Sequence, residues 1–162
     1  PGDAASFAPN WEDVGPGESV VTLVHTHPYA ESEGGYTNVP FSGQDMGLMV
    51  LDGLYGFVNE TGLVRSGASI FLVTPSAELD SRLSGLSDAQ KIDLWREIKG
   101  VGERAAWEYA GEEAGSDATP DEVLAVFREN FAEANFFAVK SVAEKYDFLF
   151  YAGRGDTLRR VN

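Results

Sequence analysis

His25 and His27 are the only histidines among 162 residues, and they stand one residue apart at the end of the apolar run 19–24. Residues i and i+2 of a strand point to the same face. Two imidazoles are therefore expected to project together from a strand's C-terminal end. Pro28 stops the strand directly after them, at the exposed rim where sites tend to lie. A carboxylate follows in Ser42-Gly43-Gln44-Asp45. Two nitrogens and one oxygen, with a fourth position left for water, is the usual make-up of a catalytic zinc site.

Asp45 also has an ordinary structural role. Ser42 at a helix N-cap with an acid three residues later is nearly a capping box, and the helix dipole favours an acid in that first turn. The two roles are compatible. A capping Ser at a rim can also hydrogen-bond a ligand or a substrate oxygen.

The elements that must position these residues read as a mixed α/β chain. Residues 19–25 predict a strand and 28–41, with Pro28, Gly34, Gly35, Asn38 and Pro40, a long loop. A helix is expected from Ser42, with Met46, Met49, Val50 and Leu54 at helical spacing, ending near Gly53 or Gly56. Tyr55–Val58 and Leu63–Arg65 flank Asn59-Glu60-Thr61-Gly62 and predict a hairpin. Residues 68–74 predict a buried strand stopped by Pro75, and 76–86 a polar connector. Ser87 is expected to cap a helix to about Ala114, in which Gly100 and Gly102 mark close packing or a kink. Thr119-Pro120-Asp121-Glu122 opens another helix, expected to continue to Lys145. Residues 148–152 and 157–161 predict a final strand pair. Trp95, Trp107, Phe127, Phe131, Phe136 and Phe137 are expected in the core. Glu108 to Asp117 reads as a solvated helix end.

At 17.5 kDa the chain fits one domain over 1–162. It divides into an arm at 1–18, a core at 19–75, helices at 87–145 and terminal strands at 146–162. With no Cys, a disulfide framework and a cysteine-ligated metal are both excluded. The net charge of −14 argues against a nucleic-acid partner, which needs clustered Lys and Arg. It suits solubility, or a basic partner such as a cognate inhibitor or a cationic substrate. No apolar run is long enough for a membrane span. The opening Pro1-Gly2-Asp3 predicts a piece of something longer.

His25-Thr26-His27-Pro28 followed by Ser42-Gly43-Gln44-Asp45 at a helix start resembles the signature of JAB/JAMM (MPN-type) zinc metallopeptidases. The resemblance covers roughly residues 19–75, and the loop between the two segments is longer than the family's. It implies a JAB/MPN-like mixed sheet flanked by helices, here with a C-terminal helical insertion and a final strand pair. It implies that His25, His27 and Asp45 ligate Zn2+ and that Ser42 helps hold the oxyanion. It implies hydrolysis of a peptide or isopeptide bond in a protein or peptide substrate. The closing segments Leu149–Gly153 and Thr157–Val161 are similar to the end of JAB-like domains at the C-termini of bacterial polymorphic toxins. That likeness implies an effector domain, secreted as the C-terminal part of a larger bacterial protein.

Hydrolysis of this kind needs a general base within reach of the zinc-activated water. In the family it is a Glu upstream of the histidine pair. Here Glu12 and Glu18 precede it. At about 3.3 Å per strand residue, Glu18 would lie roughly 23 Å from His25 along the strand, and a Glu12 folded back opposite residue 20 roughly 16 Å away. The alternatives are a base before Pro1, a loop Glu (Glu31 or Glu33), Glu12 on a path other than a hairpin, or no hydrolysis at all. Glu60 is expected in a hairpin turn, away from the site. The loop around Tyr29, Glu31, Glu33 and Tyr36 is a candidate wall of a substrate groove. Besides a zinc hydrolase, two other functions are open: a non-catalytic module engaging a basic partner, and another metal-dependent hydrolase such as a nuclease.

Overall fold

A computed structural model of the protein describes residues 20–27, 34–51 and 57–162, with backbone alone at 20–23, 25 and 57–60. Five strands and five helices are seen among these residues, in a mixed α/β arrangement. The expected arm at 1–18 lies outside them.

Strand β1 (Val20–Thr26) runs parallel to β2 (Phe57–Ser66), and the crossover between them carries α1 (Gly43–Leu48). From β2 onward the sheet is antiparallel, through β3 (Ser69–Pro75), β4 (Phe148–Arg154) and β5 (Thr157–Arg160), in the spatial order β1-β2-β3-β4-β5. The strands expected at 19–25, at 68–74 and at the C-terminus are therefore present. Alternation places Val64, Phe71, Val73, Phe148 and Phe150 in one buried cluster. Val64 is the register partner of Phe71, and Val73 of Phe150, so these pairs share a face. Met46 and Met49 near α1, Ile98 of α3 (Asp88–Ala114) and Val139 and Val142 of α5 (Phe131–Tyr146) complete the core.

The hairpin expected across Asn59–Gly62 does not form; Phe57–Ser66 is one continuous strand. The turn-like composition is absorbed as an irregularity. Val20 pairs with Phe57 but Thr22 with Thr61, so β2 carries extra chain within 58–60. Gly62 serves packing instead of turning. A Cβ there would collide with Met49 Cε and come within 3.2 Å of Phe41.

Helix α1 is also shorter than expected and ends at Leu48. The N–H groups of Met49, Val50 and Leu51 donate to carbonyls three residues back at 3.1–3.2 Å, the tightened 3₁₀ pattern. All three of these side chains are buried. Three successive residues cannot share one α-helical face, so burying them requires leaving the helix. The expected tail at Gly53 or Gly56 lies outside the described residues.

The connector at 76–86 is in fact α2 (Ala77–Ser84). Ser76 Oγ accepts from Leu79 N at 3.2 Å, acids occupy the first turn, and Leu79 and Leu83 are buried one turn apart. The helix expected from Thr119 to Lys145 is two: α4 (Pro120–Glu129) and α5. Asn130 divides them. Its backbone leaves helical geometry at φ −110° and ψ 33°, and its Nδ2 donates to Val126 O at 3.1 Å beside the last helical bond from its own N at 2.9 Å. The caps at Ser87 and Thr119 are as expected, each a capping box. Helix α3 runs unbroken through Gly100 and Gly102.

Candidate functional site

His27 follows the last residue of β1 and stays attached to the sheet. Its N–H donates to Arg65 O at 3.2 Å, and its carbonyl accepts from Ser66 Oγ at 3.4 Å. Its side chain is 13% exposed, at the rim of the core. His25 lies on β1 with its Cα opposite Val64; its side chain is outside the described residues.

Ser42 begins α1. Its Oγ accepts from Asp45 N at 3.2 Å, and Asp45 Oδ2 accepts from Ser42 N at 2.7 Å and from Ser42 Oγ at 2.8 Å. The capping box is thus complete, with Asp in the place of the usual Glu or Gln. The same Oδ2 stands 3.7 Å from His27 Nε2. The fold therefore brings together two of the three candidate ligands.

That spacing fits one shared ion. Two ligand atoms each about 2.0–2.2 Å from zinc lie roughly 3.4 Å apart at a tetrahedral angle, and farther apart at a wider one. The Ser42 bonds hold the Asp45 carboxylate in place, as partners behind a metal ligand do. They also occupy the Ser42 hydroxyl proton. Donation to a substrate oxyanion then requires that proton to leave Asp45. Among the described residues no three His, Asp or Glu side chains form a ligand cluster.

The candidate bases Glu12, Glu31 and Glu33 lie outside the described residues, as does Tyr29. Glu60 is on β2, not in a hairpin turn. Tyr36 stacks on Phe131 with ring centroids 4.4 Å apart, which seats the loop before α1 against the start of α5.

Two features of the surroundings were not legible in the sequence. Ser66 is a buried hydroxyl at the end of β2. It accepts from Val39 N at 3.0 Å while donating to His27 O, so one side chain ties the β2 end to the histidine and to the loop entering α1. A lone Ser after a strand carries no signal of this. The second is a pocket of about 190 Å³ beside Ser42, walled by the start of α1 and by α3, α4 and α5. Trp107 stands over it, stacked on Phe127 at 4.3 Å.

Trp107 and Phe137, expected in the core, are 45% and 38% exposed. The second half of α3 meets α4 and α5 through a small cluster of Ala105, Ala106, Ala134 and Ala138. Small residues bring the helices close, and the large rings are left to the edges of that contact.

Charge is distributed unevenly about the site. No Lys or Arg precedes Arg65, while nine of the 26 Asp and Glu residues do, from Asp3 to Glu60. The segment that supplies both histidines and Asp45 is therefore purely anionic. Among the described residues no helix is long and apolar enough to cross a membrane. Comparison with protein-family models, with curated proteins and with solved structures finds no match to this chain.

Proposed function

We propose that this chain is a zinc-dependent hydrolase of JAB/JAMM type that cleaves a peptide or isopeptide bond. The observation that carries the reading is the 3.7 Å approach of His27 Nε2 to an Asp45 oxygen already held by Ser42. His25, two residues before His27 on the same strand, is the proposed third ligand. Zinc bound there would polarise a scissile carbonyl and acidify water. Ser42 is proposed to donate to the developing oxyanion, where one such donor is worth on the order of 100-fold in rate. Glu31 and Glu33, in the loop after the histidines, and Glu12 are the proposed sources of the base. The JAB-like details of the fold and a role as the exported effector part of a larger bacterial protein belong to the same proposal.

Elemental analysis of the purified protein tests the first step. About one zinc per chain is expected, with loss of the metal in His27→Ala. Wild-type protein that refuses zinc ends the reading. Cleavage of protein or peptide substrates, abolished by a chelator and restored by zinc, is the second step.

The anionic segment before Arg65 favours one further reading, a non-catalytic module on the same scaffold that engages a basic partner such as an inhibitor. It is distinguished by salt-sensitive association that survives His25→Ala.

A further inference from the structure

We infer that the pocket beside Ser42 is a specificity subsite for one cationic side chain, an arginine or lysine of the chain being cleaved. The inference rests on the hydrolase reading, because Ser42 forms a wall of this pocket and also holds Asp45 at 2.8 Å. A side chain seated there would lie against the residue that holds the Asp45 carboxylate.

The pocket's chemistry selects the guest. Its walls include Ser42, Gln44, Glu103, Trp107, Phe127 and Asn135. Glu103 is the charged residue among them, and it is an acid. Trp107 and Phe127 are stacked with their planes 15° apart. Aromatic walls accept the methylene stem of a long cationic side chain and attract its charged head. Gln44 and Asn135 supply carbonyl oxygens for the remaining N–H donors. Lys99 lies 3.9 Å from the Glu103 carboxylate, but this pair is exposed, and such pairs contribute little and exchange readily. Arg104 lines an adjoining open groove, which shares Glu103 and Trp107 with the pocket and in which Glu108 is a second carboxylate. The segment bearing the candidate ligands has no base before Arg65, so an arriving cation meets no like charge from it. An acidic side chain would meet Glu103 directly, and a neutral one would gain nothing from its charge.

NMR titration of the whole chain decides the inference without relying on metal or cleavage. The probes are Nα-acetyl-arginine amide and its neutral counterpart Nα-acetyl-norleucine amide. The indole N–H of Trp107 is assigned by its disappearance in Trp107→Phe. Arginine amide is expected to shift that indole and the amides around Glu103, with at least tenfold weaker response to norleucine amide. In Glu103→Gln the response to arginine amide is expected to fall by a similar factor; Glu103 is exposed, so the variant should fold. Equal response to both probes, or an unchanged response in Glu103→Gln, overturns the subsite. Failure of the hydrolase reading shows elsewhere, as absence of zinc. In a metal-loaded, active protein, replacing the peptide's arginine by norleucine is expected to lower kcat/KM about tenfold, and an unchanged kcat/KM also overturns the subsite.

Discussion

Gly43 and Gly102 meet backbone to backbone, and that contact seats the candidate site. A Cβ on Gly102 would lie 2.9 Å from Gly43 Cα, and one on Gly43 would lie 2.9 Å from Lys99 O. Helix α1 has only six residues, too few to be stable by itself. Its first turn, with Ser42 and Asp45, is held where it is by lying directly on α3.

Gly102→Ala tests this seat. Alanine improves helix propensity by about 1 kcal/mol, but overpacking at a closed contact costs roughly 1–3 kcal/mol. Net destabilisation is expected in chemical denaturation, together with weaker zinc binding as α1 is pushed off α3. Gly111 lies on the same helix with nothing within 4 Å of an added Cβ. Gly111→Ala is expected to stabilise by up to about 1 kcal/mol and to leave zinc binding alone. Equal responses at the two positions would show that the close approach has no special role.

How much of this was legible in the sequence follows from the range of each interaction. The caps at Ser42, Ser87 and Thr119 are decided within four residues, and the sequence pattern places all three. Helix α3 and strands β3 and β4 follow from local periodicity. Strand β2 does not, because Asn59-Glu60-Thr61-Gly62 has turn chemistry and pairing with β1 at Thr61 and Gly62, and with β3 from Gly62 onward, keeps it extended. Gly62 reads as a turn residue until Met49 is seen against it. Helix α2 was legible, since Ser76, Glu78, Leu79 and Leu83 carry both the cap and the spacing, but polar composition masks them. At the site, residue types and spacing single out His27 and Asp45, and the fold brings them together. Gly102 reads as a close-packing residue, but its partner Gly43 does not, and Ser66 and the Trp107 pocket likewise join segments far apart in the chain, which no local pattern encodes.

Ser66 is expected to be structurally expensive to replace. Ser66→Ala removes the acceptor of a buried Val39 N–H and the donor to His27 O. An unsatisfied buried group costs about 1–3 kcal/mol. A loss in that range is expected from denaturant unfolding, with Ser66→Thr closer to wild type. A loss well under 0.5 kcal/mol would mean that water replaces the hydroxyl at little cost.

The acid limb of stability should carry a contribution from Glu97. Its carboxylate accepts from the Tyr146 hydroxyl at 2.7 Å and from Lys145 at 3.4 Å. The Tyr146 bond is the main cause that holds Glu97 below the usual carboxylate value of 4.5, and Lys145 adds to it. A lowered folded value stabilises above the unfolded value and is lost as pH falls through the folded one. Tyr146 shifts upward, mainly through burial and then through its bond to Glu97. A raised folded value stabilises fully below the unfolded value and is lost as pH rises through the folded one. Glu97→Gln is expected to narrow the difference in stability between pH 7 and pH 3, and to bring Tyr146 ionisation, followed by ultraviolet absorbance, closer to 10. Because Glu97 is largely exposed, the stability effect should be small. An unchanged Tyr146 titration would show that burial alone sets its shift.

Asp45 combines a cap and a proposed metal ligand, and two substitutions separate them. Asp45→Asn keeps a side-chain oxygen that can accept from Ser42 N but removes the negative charge. Ser42→Ala keeps the charge but removes the cap, at a cost of about 0.5–2 kcal/mol. If Asp45 holds zinc, Asp45→Asn should lose metal affinity steeply while losing little stability. Ser42→Ala should lose stability while its metal affinity falls about 10–100-fold, the usual effect of removing a partner that orients a ligand. Zinc titration against a competing chelator, alongside thermal unfolding of the metal-free proteins, measures both quantities. Asp45→Asn with wild-type zinc affinity would reduce Asp45 to a helix cap. The 3.7 Å approach of His27 would then be an ordinary contact at the edge of the core.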